Sequence, residues 1–106
     1  MIGNLLGSNI AIVGGGRICK AILQTLSSES FGQKNFTILG VADIDDQAMG
    51  LKYARQLGVF TTNDYRRLFE LKNLHSIIEL TKDDDLSGDI RRSTPPGIRF
   101  FDHFEA

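Results

Sequence analysis

Three consecutive glycines, Gly14, Gly15 and Gly16, constrain this chain more than any other feature. They follow the apolar run "IAIV" (residues 10–13) and precede a segment in which Ile18, Ala21, Ile22 and Leu26 recur at helical spacing through about Ser27. A short β-branched apolar run reads as a strand buried on both faces, and the change of period marks a helix. The glycines strip every side chain from the corner between them. Such a corner implies close approach of something to the main chain.

The rest of the chain repeats the alternation. "FTILGVAD" (36–43) predicts a second buried strand, reached through the polar loop "SSESFGQKN". "DIDDQAMGLKYARQLG" predicts a helix with Asp45 as N-cap and Gly58 as its stop, its stripe of Ala48, Leu51, Ala54 and Leu57 lying on a sheet. Gly50 within that helix costs about 1 kcal/mol against Ala, which close packing would justify. "VFTT" (59–62) predicts a third strand. Thr62 or Asn63 then caps a helix over "DYRRLFEL", with Tyr65, Leu68 and Phe69 inward. "LHSIIEL" (74–80) is a fourth strand, and "DDDLSGDIRR" a short helix whose acids and arginines suit the helix dipole. Pro95-Pro96-Gly97 ends it, and "IRFFDH" is a fifth strand. Strands alternating with helices predict an α/β fold, a doubly wound parallel sheet of about five strands in the order 3-2-1-4-5. Residues 1–106 form one domain, with 1–8 a flexible N-terminal segment.

Charge and cysteine content narrow the function. Lys and Arg total 12 against 13 Asp and Glu, so no basic excess points to nucleic acid. The single cysteine, Cys19, rules out intrachain disulfides and fits a reducing, cytoplasmic setting. The apolar opening lacks a basic n-region and falls short of the roughly 18 residues of a spanning helix, so no direct membrane contact is expected.

Placed between a strand and a helix, Gly14-x-Gly16-x-x-Cys19 matches the dinucleotide fingerprint with Cys19 in place of the third glycine. The first glycine makes the turn, the second admits the diphosphate, and bare amides at the helix start hold the anion. Arg17 adds a charge. Asp43 closes the second strand a little beyond the roughly 20-residue offset of the acid that binds a ribose 2′-OH. The long loop takes up the excess. That acid favours NAD over NADP. Leu80 and Thr81, after the fourth strand, face the cleft expected at the carboxyl ends of the strands. The cofactor-binding set is therefore Gly14, Gly15, Gly16, Arg17, Ile18, Asp43, Ile44, Leu80 and Thr81, with no catalytic and no metal residues assigned.

Other polar residues carry less. Asp83-Asp84-Asp85 at a helix start reads as a solvated cluster rather than a metal site, and His75 as structural. Glu79 is read equally as partly buried or surface-facing. His103 beside Asp102 lacks a nucleophile or metal partner. Cys19 reads as a packing residue, the sharper alternative being a redox thiol with a lowered pKa.

The stretches "IAIVGGGRICKAIL", "ILGVADIDDQAMGLKYARQLGVFTTNDYRRLF" and "IIELT" resemble the N-terminal NAD(P)-binding domains of homoserine and aspartate dehydrogenases and of the glucose-fructose oxidoreductase family. With "STPPGIRFFDH" included, the chain is similar to a domain at the N-terminus of bacterial PAS-containing sensor histidine kinases. These resemblances imply an NAD(P)-binding regulatory or sensor domain, with PAS or kinase modules in a longer chain and room for a homodimer. They place Gly14, Gly16 and Arg17 in the phosphate loop and Asp43 at the ribose. One alternative is the cofactor-binding half of a dehydrogenase, since such enzymes carry a further substrate domain and the sequence stops at Ala106. Another is an interaction module that kept the fold without the ligand.

Overall fold

The computed structural model describes residues 8–27 and 36–104. Residues 1–7 of the expected flexible segment and most of the "SSESFGQKN" loop lie outside them, while Ser8, expected to be flexible, is the first residue of a strand. Five strands, β1 (Ser8–Val13), β2 (Phe36–Ala42), β3 (Phe60–Thr62), β4 (Ser76–Glu79) and β5 (Arg99–Phe101), form one sheet in the order β3-β2-β1-β4-β5. Every neighbouring pair is parallel. Three α-helices intervene, α1 (Arg17–Ser27), α2 (Met49–Gln56) and α3 (Asp84–Ser93), and a 3-10 helix spans Tyr65–Glu70.

Alternation along β1 divides the core into two layers. Ile12 packs with Cys19, Leu23, Val41, Leu51 and Ala54, the side covered by α1 and α2. Ala11 and Val13 pack with Ala42, Leu68, Leu74, Ile77 and Ile90, the side covered by the 3-10 helix and α3. Ile10, Ala11 and Ile12 are wholly buried, as a central strand covered on both faces must be.

The element ends depart from the sequence reading where tertiary bonds replace local caps. α2 starts at Met49, not at the Asp45 cap, because Ala48 precedes it without a side-chain cap bond. Asp45 instead accepts the Gln47 amide in a turn. The carbonyl of Gly15 takes the Gly50 and Leu51 amides at 2.7 and 3.0 Å, satisfying α2's first turn from another element. Gly58 does stop the helix, in the left-handed region at φ 79°. The next helix is capped by Asp64, whose carboxylate accepts from Arg66 N, rather than by Thr62 or Asn63. It is 3-10 rather than α, with Leu68 buried and Tyr65 and Phe69 packed beside it. Asp83 caps α3 through Leu86 N, leaving Asp84 and Asp85 in its first turn and Arg91 and Arg92 in its last.

Candidate functional site at the carboxyl ends of the strands

Register aligns the ends of the strands. Val13 pairs with Ala42 and with Glu79, Ala42 with Thr62, and Ile78 with Phe101. The chain therefore leaves β1, β2, β3 and β4 along one rim, at Gly14, Asp43, Asn63 and Leu80. β1 also lies where the order reverses, with β2 on one side and β4 on the other. Open α/β sheets place ligands at that switch point.

Gly14 is at φ 111°, which L-residues rarely adopt, and a Cβ there would lie 3.0 Å from Leu80 C and Thr81 N. It is the tight-turn glycine. Gly16 is different: a Cβ there would meet nothing within 4 Å. No contact among the described residues demands that glycine, so the space beside it is open to a ligand.

The expectation that the whole corner offers bare amides holds only in part. The amides at the corner are not all bare: Gly14 N donates to Ala42 O at 2.8 Å and Gly15 N to the Asp43 carboxylate at 2.7 Å. Gly15 is buried and serves structure through its amide and its carbonyl. The amides of Gly16, Arg17 and Ile18 have no acceptor among the described residues, as the first turn of a helix dictates. They, rather than the whole glycine run, remain for an anion.

Asp43 spans this corner. Its second carboxylate oxygen accepts from Asp45 N at 2.9 Å, so two main-chain bonds fix the half-buried side chain. An ionised carboxylate offers about four lone-pair sites, which leaves capacity for hydroxyl donors. Cys19 stands where the fingerprint has its third glycine and is wholly buried. Burial, and secondarily the charge of Asp43, pushes its thiol up to about 12. The redox alternative with a lowered pKa is therefore overturned: the apolar packing outweighs the helix start. Space for close packing comes instead from Gly50, where a Cβ would fall 2.5 Å from Gly16 O, 2.7 Å from Gly15 O and 2.9 Å from Cys19 Cβ.

Two cavities flank the glycine corner. The larger, of about 370 Å³, is lined by Gly14, Gly16, Asp43, Ile44, Leu80 and Thr81 from the expected set. Asn63, Tyr65, Asp83 and Leu86 join them and were missed. The signal for Asn63 was its place just past β3, on the same rim as Asp43. The smaller, of about 190 Å³, is lined by Gly14, Gly16, Arg17, Ile18, Cys19, Leu80 and Lys82. Eight of the nine expected residues thus line a cavity, and Gly15 supports them from behind.

Behind the rim lies a polar knot that the sequence left undecided. Glu79, the last residue of β4, is wholly buried. One oxygen accepts from Thr81 Oγ1 at 2.6 Å and Lys82 N at 2.9 Å; the other accepts from His103 N at 3.1 Å and meets His103 Nδ1 at 2.7 Å. Burial alone would raise its pKa, but hydrogen bonds from Thr81, His103 and Ser87 outweigh it and hold the group at about 2. An ionised Glu79 makes Nδ1–H the donor. His103 is therefore committed to Glu79, with Asp84 at 3.5 Å from Nε2, and not to Asp102, which pairs with Arg91. His75 bonds Asn9 N through Nδ1 at the opposite end of β4. Among the described residues no group of three His, Cys, Asp or Glu is disposed to hold a metal, and no helix is long and apolar enough to cross a membrane.

No family model matches the sequence, and no curated protein does. Solved structures match in fold. GenD2 from gentamicin A biosynthesis, solved in complex with NAD, is similar at a TM-score of 0.66 and 15% identity, over 90% of this chain and 26% of that one. An NAD-binding protein from Listeria innocua gives 0.62 and 18%, over 90% and 26%. Myo-inositol 2-dehydrogenase from Lactobacillus plantarum gives 0.63 and 19%, over 90% and 27%.

The fold is a Rossmann fold.

At these identities the likeness is one of fold, and the chain spans about a quarter of the length of those proteins. The Rossmann order sets the glycine corner of this chain at the switch point, with Asp43 just past the end of β2.

Proposed function

We propose that this domain binds NAD(H) as the cofactor-holding part of an oxidoreductase. The observation that carries the reading is Asp43, anchored by Gly15 N and Asp45 N at the mouth of the larger cleft. A carboxylate held there accepts from the two hydroxyls of an adenosine ribose and repels a 2′-phosphate. The open space at Gly16 and the amides of Gly16, Arg17 and Ile18 at the positive end of α1 suit the diphosphate. When bound, the cofactor supplies hydride transfer; the residues of this chain bind and orient it. The NAD-binding proteins that share the fold support this reading.

A regulatory use of the same site is the second reading, as in the N-terminal domains of sensor kinases. It is favoured by one observation: Glu79 and His103, the titratable pair at the ends of β4 and β5, are bonded to each other and line neither cavity. A substrate domain elsewhere in the parent protein would favour the first reading, and PAS or kinase segments the second.

A thermal melt against NAD, NADH, NADP, NADPH, coenzyme A and S-adenosylmethionine tests the binding itself. A ligand at 100 times its Kd adds about 2.7 kcal/mol, on the order of 10–20 °C for a domain this size. NAD or NADH should give the largest shift and NADP a small one. Asp43→Asn should erase the preference and also lower the unliganded melting point, since one main-chain donor loses its acceptor. No shift with any dinucleotide would sink the proposal.

A further inference from the structure

The two cavities share Gly14, Gly16 and Leu80 but carry opposite charge. The larger is lined by the carboxylates of Asp43 and Asp83 and by no cation; the smaller by Arg17 and Lys82 and by no acid. Neither Arg17 nor Lys82 forms an ion pair with a described residue. A partition of this kind suits a ligand with hydroxyl donors at one end and an anion beside them.

Lys82 owes its place to the polar knot. It sits at φ 61°, in the left-handed region that non-glycine residues seldom occupy. Its amide is bonded to the buried Glu79 carboxylate, which also holds Thr81 Oγ1. Asp83 N in turn donates to Thr81 Oγ1 at 3.2 Å. The turn is thus wound round Glu79, and Glu79 is secured from the far side by His103. A long, flexible ammonium on a fixed main chain retains reach without losing its position.

We infer that Lys82, which lines the smaller cavity together with Arg17, is a diphosphate-contacting residue, and that Glu79 is its positioning residue. The inference rests on the dinucleotide reading above and extends it from main-chain amides to paired side-chain charges. It assigns the diphosphate to the α1 side of Gly16 and the ribose to the Asp43 side.

Calorimetric titration of the protein with NAD, ADP-ribose and adenosine tests it. Adenosine keeps the base and ribose but has no phosphate. Lys82→Gln should weaken NAD and ADP-ribose about tenfold, leave adenosine unchanged and flatten the salt dependence of NAD binding. Lys82→Arg should restore most of the affinity, and Lys52→Gln on the exposed face of α2 should change nothing. Glu79→Gln should weaken NAD in the wild-type background but have little further effect beside Lys82→Gln, a coupling that mere loss of stability would not produce. Wild-type binding of NAD with no loss in Lys82→Gln overturns the inference and leaves the dinucleotide reading standing. Equal loss for adenosine overturns it as a general structural effect. A wild-type protein that binds neither NAD nor ADP-ribose overturns both.

Discussion

At the scale of single residues, the three glycines have three different reasons to be glycine. Gly14 needs its positive φ and its contact with the β4–α3 turn; Gly15 lies 3.0 Å, at its missing Cβ, from Leu51 Cβ; Gly16 has open space. Substitution should separate fold from binding. Gly14→Ala should cost stability, about 1–3 kcal/mol for a strained conformation with a main-chain clash. Gly16→Val should leave the urea midpoint nearly unchanged while abolishing the NAD-dependent rise in melting temperature, because its branched side chain fills the gap. If Gly16→Val unfolds the protein, or binds NAD like the wild type, the open space is not the ligand's.

At the scale of elements, the sequence showed which segments were strands and helices because hydrophobic period is a local property. α1 runs from Arg17 to Ser27, as Ile18, Ala21, Ile22 and Leu26 indicate. The start of α2 was illegible for a physical reason: its first amides are satisfied by Gly15 O, a partner far away in sequence. A local rule turned instead to Asp45. The same remoteness hid the Glu79–His103 pair, since nothing in "IIELT" or "FFDH" states that two strand ends meet. Gly50 was legible as an anomaly, and the structure supplies its cause. Ala is ordinarily the better helix former by about 1 kcal/mol, yet Gly50→Ala should destabilise by about 1–3 kcal/mol through overpacking against Gly15 O and Gly16 O. Equilibrium urea unfolding measures this. A gain in stability would mean that α2 does not sit against the glycine corner.

At the scale of the whole molecule, one buried carboxylate joins pieces that the sequence keeps apart. Glu79 belongs to β4, holds the β4–α3 turn through Thr81 and Lys82, and fixes the exit from β5 through His103. The parallel sheet leaves these groups at one rim, so the knot supports the candidate site as well as the fold. Its pKa ties both to pH. Held at about 2 against an ordinary value of 4.5, the carboxylate binds its proton more weakly in the folded chain than in the unfolded one. The resulting stability, on the order of 3 kcal/mol, is fully present above about 4.5 and is lost as pH falls towards 2. Urea unfolding of the wild type and Glu79→Gln at a series of pH values isolates it. The wild type should be the more stable at pH 7, and the difference should shrink through that window. A difference that stays constant down to pH 2 would show that folding does not lower the pKa of Glu79, and that the turn presenting Lys82 is held by something other than its charge.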